Sequence, residues 1–380
     1  MVRVGVMHIT DTLDAGGAER VAVDLVNLLP RERYQTHLCT TRRDGPLADL
    51  VAEDVGRLRL ERKQRFDARA LRSMADYIRR NQIQILHAHG TSLFIAELVS
   101  FFPPRPAVIW HEHYGRLASE DHRAWLYRWA ARRISGLITV NQPLAEWSRR
   151  RLRVPAERVW YIPNFVCEAR SNGGLFDLPG KSGARIVNVA NFRSEKDQLT
   201  LLRAMALVIR QMPAAHLLLV GAAVDPSYFD LMKKEITRQG LGQHVSLLGL
   251  RSDVPAILQS CDIGVMSSAS EGLPMALLEY GMAGLPVVAT RVGQCAEVLD
   301  EGRAGILVPP VAPDKLAEVL LSLLCSPERR ASLGELFHRR VQKVYSPGPI
   351  IQQICRVYDA VINSKQGELP DAIHSEQPHF

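Results

Sequence analysis

The stretch that decides the architecture runs Ser268-Ala269-Ser270-Glu271-Gly272-Leu273-Pro274-Met275-Ala276-Leu277-Leu278-Glu279-Tyr280-Gly281. Directly before it, Ile263–Met266 is a short apolar run that reads as a buried strand. Pro274 lies where the first turn of a helix tolerates a residue without an N–H, so Met275–Ala283 reads as a helix. Gly272 lets a ligand approach the backbone, and the free N–H groups at the helix start suit an anion such as a diphosphate. Glu271 in the loop and Glu279 on the helix both have the reach to face a ligand lying there, and carboxylates accept well from sugar hydroxyls. From spacing alone, a capping acid followed by a solvated helix glutamate fits equally well.

Working outward, the strand-then-helix rhythm continues in both directions. Val2–His8, Thr36–Thr40, Arg57–Leu60, Gln84–Ala88, Ala107–Trp110, Gly136–Val140 and Arg158–Ile162 are strand candidates, with helical stretches between most of them. After the polar, glycine-containing stretch Glu168–Gly183 the rhythm restarts at Arg185–Ala190. The expected class is α/β: two doubly wound Rossmann-like domains, each a mainly parallel sheet covered on both faces, with ligand sites at the carboxyl ends of the strands and in an interdomain cleft. The expected boundaries are 1–167 and 184–345 for the two domains, with 168–183 as the linker. Residues 346–363 are expected to form a C-terminal helix packing back on the first domain, and 364–380 a disordered tail.

Composition agrees with this reading. A chain of 380 residues, 47% hydrophobic and 23% charged, is a folded protein with room for two cores. The six cysteines are scattered without a C-x-x-C, which suits reduced, mostly buried thiols. Val2–Met7 reads as a strand, without the basic region of a signal peptide, and the most apolar stretch, Ser92–Trp110, is broken by Glu97 and three prolines. The expected location is cytoplasmic. The net charge of +7 is concentrated: residues 1–180 hold 27 Lys+Arg against 20 Asp+Glu, and 26 of those cations are arginine. Arg128, Arg132 and Arg133 lie among Trp125, Tyr127 and Trp129, and Arg149-Arg150-Arg151 follows. Such a surface attracts an anionic membrane leaflet or a polyanionic acceptor, and a set of solvated helix faces accounts for it equally well. No recognised nucleic-acid-binding motif accompanies the charge, so nucleic acid is not expected as a partner.

The run from Glu271 to Pro309, EGLPMALLEYGMAGLPVVATRVGQCAEVLDEGRAGILVPP, resembles the signature of the family-4 retaining glycosyltransferases of the GT-B fold. Its E-x7-E motif is matched by Glu271 and Glu279, and the likeness extends over nearly all of 185–325. The first half fits more loosely, through its GGAER loop and the Ile162-Pro163-Asn164 turn. The resemblance implies that Glu271 contacts the donor sugar, that Glu279 binds the ribose hydroxyls, and that the backbone at Gly272, Leu273 and Pro274 holds the donor.

Asn191-Phe192-Arg193-Ser194-Glu195-Lys196-Asp197 follows another strand end. Cations there can neutralise a departing diphosphate, and a plain surface charge cluster also fits. The segment is similar to the family's basic pair, in which an arginine after a glycine precedes a lysine by five positions. Lys196 matches the lysine; Ala190 and Asn191 stand where Gly-Arg is usual, which leaves Arg193 as the substitute. Gly16-Gly17 opens the first helix, and the resemblance gives Gly17 a place over the donor phosphates and acceptor.

Histidines gather at two strand ends, as His87-Ala88-His89 and His111-Glu112-His113. Residues two apart on a strand point the same way, so each pair could offer two ligands to a metal, which keeps a zinc-dependent hydrolase open as a rival. In the family resemblance His113 contacts the donor sugar, and His89 and His111 lie on the acceptor side.

The sequence contains no D-x-D metal motif, no P-loop and no G-x-S-x-G elbow. The resemblance implies a retaining glycosyltransferase, and these absences make the expected enzyme metal-independent and without a cofactor. It would move a sugar from a nucleoside-diphosphate donor, UDP-linked by preference, to a saccharide or lipid-linked saccharide in cell-surface polysaccharide or glycolipid synthesis. A non-catalytic nucleotide-sugar sensor is the other rival.

Overall fold

The computed structural model describes residues 3–14, 16–64, 66–113, 124–167 and 178–366. Of the expected linker, 168–177 lie outside the described residues, and of the expected tail, 367–380. The chain divides into two compact units, Met1–Asn164 with Pro347–Phe380, and Phe165–Ser346. The last helix, Pro347–Gln366, thus groups with the first unit.

The first unit holds seven strands: β1 (Val4–Thr10), β2 (Tyr34–Thr40), β3 (Gly56–Arg59), β4 (Ile83–His89), β5 (Ala107–Glu112), β6 (Gly136–Thr139) and β7 (Val159–Tyr161). Every pairing is parallel, in the order β3-β2-β1-β4-β5-β6-β7. The apolar residues of these strands explain why: β4 and β5 are buried almost throughout, as a sheet covered on both faces requires. Met7, Ile9, Leu86, Trp110 and Leu137 pack with Met74 and Ile78 of the helix Ala68–Arg80 and with Ile95 and Val99 of the helix Leu93–Ser100.

The second unit repeats the plan with β8 (Arg185–Val189), β9 (His216–Val220), β10 (Val245–Gly249), β11 (Ile263–Met266), β12 (Val287–Thr290) and β13 (Ile306–Val308). Its order is β10-β9-β8-β11-β12-β13, again all parallel. In both sheets the winding reverses beside the first strand, between β1 and β4 and between β8 and β11. Loops leaving the two strands at such a point diverge and open a crevice at their carboxyl ends.

Besides the one-turn helix Cys295–Val298, the long helix Pro327–Tyr345 escapes the sequence reading. It is polar over most of its surface and buries only Gly334, Phe337, Val341 and Tyr345. Phe337 and Val341 press on Gly281, where an added Cβ would come within 2.5 Å of Val341. This helix thereby braces Met275–Met282, the helix that follows the deciding loop. Tyr280 fixes the other side. Its ring lies over Gly264 of β11, and its hydroxyl accepts a hydrogen bond from the Val189 backbone N–H of β8 at 2.6 Å.

A Cβ at Gly264 would stand 2.8 Å from the Tyr280 ring. Gly264→Ala is therefore expected to destabilise the protein by about 1–3 kcal/mol through overpacking. Urea unfolding checks this; an unchanged midpoint would show that the ring does not define the β8–β11 junction.

Candidate functional site

In the second unit, the loops after β8 and β11 leave the reversal point side by side. Ser194–Lys196 forms a single 3-10 turn, ended by Asp197 in the left-handed region at φ 45°. Aspartate tolerates that conformation better than most residues, and its side chain accepts from the Thr200 N–H, capping the helix Gln198–Gln211. Across the gap, the Ala269 N–H donates to the Glu195 carbonyl at 2.9 Å, and the Ser267 hydroxyl donates to the Lys196 carbonyl at 3.1 Å. The two loops are stitched together before any charge is considered.

The charges then meet. Lys196 Nζ lies 2.6 Å from Glu271 Oε1, and the Ser268 hydroxyl donates to the same oxygen at 2.6 Å. Their side chains are only 16% and 7% exposed, so the pair is well shielded from solvent. From the far side, Gly293, at φ 50°, lies so close to the Glu271 carbonyl that a Cβ there would be 2.2 Å from it, and the Gln294 N–H donates to the Gly272 carbonyl. Gly272 itself is exposed, Leu273 is half-buried, and the buried Pro274 stands immediately before Met275–Met282. Glu279 lies half-buried on that helix, and both it and Glu271 act on the buried Tyr280 hydroxyl, raising its pKa beyond what burial does. The expected neighbours Lys196, Glu271 and Glu279 are thus brought to one reversal point.

Arg193 lies three residues before Lys196, and its Nε is buried without a hydrogen-bond partner among the described residues. Asn191, where the resemblance leads to the expectation of arginine, has a structural duty: its Oδ1 accepts from the Ala222 N–H at 3.0 Å. Gly221 beside it leaves room for this contact, since a Cβ there would stand 2.1 Å from the Ala190 carbonyl.

In the first unit, Gly17 begins the helix Gly17–Leu28 directly after β1, behind an extended Gly16. The histidine pairs point as the strand period requires. The His87 and His89 rings stack at 4.7 Å, and those of His111 and His113 at 4.1 Å. They do not stay separate pairs. His87 bonds His111 at 3.0 Å, His89 bonds His113 at 2.9 Å, and His8 of β1 joins them through His89 at 3.0 Å. Sequence reading missed His8, because a lone histidine in an apolar strand carries no spacing signal. Nitrogens of His8, His87 and His89, and of His89, His111 and His113, lie within 4.8 Å of one another. The ring–ring contacts are hydrogen bonds, however, and they leave the two expected ligand pairs engaged with each other.

Burial keeps these rings neutral. It pushes His8 down to about 3 and His113 to about 4, with the Asn164 side chain pulling His113 the other way. His87, His89 and His111 are lowered well below the ordinary imidazole range, by burial first and by neighbouring rings second. A surface groove of about 880 Å³ lies elsewhere, by Ile83 at the amino end of β4 and lined by Arg72, Arg79 and Phe102. It touches none of these residues.

Residues 15–170 match the family described as Glycosyltransferase Family 4, and 179–336 match Glycosyl transferases group 1. An Escherichia coli UDP-Gal:alpha-D-GlcNAc-diphosphoundecaprenol alpha-1,3-galactosyltransferase is 24% identical over 76% of this chain and 80% of its own length. The alpha-D-kanosaminyltransferase of Streptomyces kanamyceticus is 26% identical over 66% of this chain and 70% of its own. Among solved structures, the Anabaena protein HepE in complex with UDP and glucose superposes with a TM-score of 0.78 at 19% identity, over 94% of this chain and all of its own. Neither the zinc hydrolase nor the non-catalytic sensor finds support in these likenesses.

Two outcomes follow from the geometry. Removing one partner of a shielded ion pair strands the other, at about 3–5 kcal/mol. Lys196→Ala and Glu271→Ala should each approach that loss in urea unfolding, and the double variant should lose far less than the sum; additive losses would show the pair is not coupled. The histidines set a pH dependence. Their native pKa values lie below the unfolded value of about 6.5, so the unfolded chain binds more protons as pH falls. Stability is complete above pH 6.5 and declines below it, by up to about 1.4 kcal/mol per pH unit for each ring. Glu97, which burial raises to about 7, and Glu19, also raised by burial, work the other way, while His37 and His216, lowered by burial, add to the five rings. Melting temperatures between pH 7 and 5 should therefore fall, and a flat profile would contradict neutral buried rings.

Proposed function

We propose, on the premise that this chain belongs to glycosyltransferase family 4 and has the GT-B fold, that it transfers a sugar from a UDP-sugar to a saccharide acceptor with retention and without a metal. The shielded pair of Lys196 and Glu271 at the β8–β11 reversal point carries this reading. A nucleotide diphosphate brings negative charge to that crevice, and Lys196 is the cation in place to take it. Arg193, whose Nε lacks a partner among the described residues, supplies a second. Together with the N–H groups beside Gly272, Leu273 and Pro274, they stabilise the charge that builds on the departing phosphate. No step then needs a divalent ion.

Donor binding draws Lys196 toward phosphate and frees Glu271 to accept from the sugar, so one ion pair is exchanged for two substrate contacts. Glu279 takes the ribose hydroxyls. Gly17 lets the chain approach the donor, His113 contacts the sugar, and His89 and His111 line the acceptor side. The sugar leaves as a short-lived cation paired with the diphosphate, the acceptor hydroxyl attacks from the same face, and its proton passes to the departing phosphate oxygen.

The E. coli relative acts, by its name, on a diphosphoundecaprenol-linked sugar. A similar lipid-linked acceptor suits this chain's surface. Trp125 and Trp129 are 70% and 51% exposed on the helix Ala124–Ala131, beside Arg128, and the Arg133 guanidinium lies 4.2 Å from the centre of the exposed Phe101 ring. Contact through such a patch is peripheral, at the cytoplasmic face; among the described residues no helix is long and apolar enough to cross a membrane.

Lys196→Ala and Glu271→Ala should each lower turnover at least tenfold, equivalent to about 1.4 kcal/mol of barrier. Wild-type rates in either would move the site elsewhere. UDP in EDTA should raise the melting temperature, more so than GDP, ADP or dTDP and increasingly with concentration. Stabilisation only with magnesium would overturn metal independence. Vesicles containing anionic lipid should retain the protein at low salt, and Trp125→Ser with Trp129→Ser should release it; equal retention on neutral vesicles would remove the electrostatic part of the reading.

A further inference from the structure

The one-turn helix Cys295–Val298 is held at both ends by residues far from it in sequence. At its start the Gln294 N–H donates to the Gly272 carbonyl at 3.1 Å. Gly293 stands so close behind that a Cβ there would be 2.2 Å from the Glu271 oxygen and 2.8 Å from that of Gly272. At its end Arg340 takes over. Its Nη2 donates to the Glu297 carbonyl at 2.6 Å and its Nε to the Val298 carbonyl at 2.9 Å, while Nη1 lies 3.2 Å from Asp300 Oδ1. The last carbonyls of a helix have no donor of their own within it, and a guanidinium meets them with charge of the favourable sign. Its planar fork spans two carbonyls at once, as an ammonium does not. The side chain is 18% exposed, so these bonds are largely shielded from water.

Arg340 belongs to the helix Pro327–Tyr345, whose Phe337 and Val341 press on Gly281 and whose His338 ring donates to the Gly281 carbonyl at 3.1 Å. Neighbouring residues of one helix therefore grip both Met275–Met282, which follows the loop at Glu271, and Cys295–Val298, which backs it.

The consequence lies in a single peptide unit. The carbonyl and N–H of a trans peptide point opposite ways in one plane. With the Gly272 carbonyl turned to Gln294, the Leu273 N–H of the same unit faces away from Gln294, and it meets no acceptor among the described residues. Gly272 is exposed and has no side chain to hold its own backbone. The Gln294 N–H fixes that peptide, and Gln294 is fixed in turn by the short helix anchored on Arg340.

We infer that Arg340 is a positioning residue of the donor site: through Cys295–Val298 it keeps the Gly272 carbonyl engaged and so aims the Leu273 N–H. What that N–H is aimed at rests on the reading above, in which the backbone beside Gly272 and Leu273 meets the diphosphate of the donor. A donor group already in place lessens the ordering that binding a diphosphate otherwise requires.

The test compares wild type with Arg340→Met, which keeps the apolar stem, and with Arg303→Ala, which takes another cation from Asp300 and leaves both helix carbonyls alone. Calorimetry with UDP and with uridine separates the diphosphate from the nucleoside. Arg340→Met should bind UDP about tenfold more weakly, the order of one hydrogen bond to a charged group, with uridine affinity unchanged. Its Gln294 amide should exchange with deuterium about tenfold faster than in wild type, while the amides of β11 and β12 stay as they were. Arg303→Ala should match wild type in every reading. A purely structural role for Arg340 would lower stability and leave the ratio of UDP to uridine affinity where it is. Unchanged UDP affinity in Arg340→Met, equal weakening of UDP and uridine, or unaltered exchange at Gln294 would overturn the inference. Should Arg340→Met not fold, Arg340→Lys, which keeps the charge without spanning both carbonyls, is read by the same measures. Wild-type protein that binds no UDP would overturn the donor reading, and exchange at Gln294 would then still decide whether Arg340 holds the loop.

Discussion

Parallel strands deliver their following loops to one edge of the sheet, and where the winding reverses two neighbouring loops must part. Both clusters of candidate site residues gather at the two places where that happens. Between β8 and β11 the parted loops carry Lys196 and Glu271, and in the first unit the histidines stand on β1, β4 and β5 and just after β5, beside the other reversal. The reversal supplies the opening, but it does not hold opposed charges in place. That falls to backbone contacts such as Ala269 to Glu195, and to the Tyr280 ring pinned between Gly264 and the Val189 N–H. The ion pair sits on a junction that is already rigid.

The two units solve different electrostatic problems with the same architecture. In the second, burial is offset by pairing: Lys196 and Glu271 keep their charges because each has the other, with the Ser268 hydroxyl on the shared oxygen. In the first, no carboxylate stands in the histidine cluster, and the rings are kept neutral by burial. Charge is held, in a pair, at one reversal point and withheld by burial at the other.

Much of this was legible in the sequence, because it rests on local pattern. The short apolar strands, the helix after Pro274 and the E-x7-E spacing are each contained within a few residues, and they led to both sheets and to Glu271 and Glu279. Lys196 was legible for the same reason, following a strand end at the expected distance. The unread parts depend on distant partners. His8 and Tyr358 are 350 residues apart and have no pattern in common, yet they share a hydrogen bond. The helix Pro327–Tyr345 buries only four residues along a charged surface, too thin a stripe to stand out. Asn191 looked like a lost arginine, and only the Ala222 contact shows the work it does instead.

The last helix closes a unit that the chain left long before. Residues up to Asn164 build seven strands, the chain then spends Phe165–Ser346 on another unit, and only afterwards does Tyr358 arrive between His8 and His87. During synthesis the ribosome must therefore release the whole second unit before the first can be finished. Until then His8 and His87 face a gap in the core, so the nascent first unit is an unfinished folding intermediate while the second is free to fold on its own. A chain stopped anywhere before the last helix would carry every motif of the family and still lack the residue that completes its oldest core.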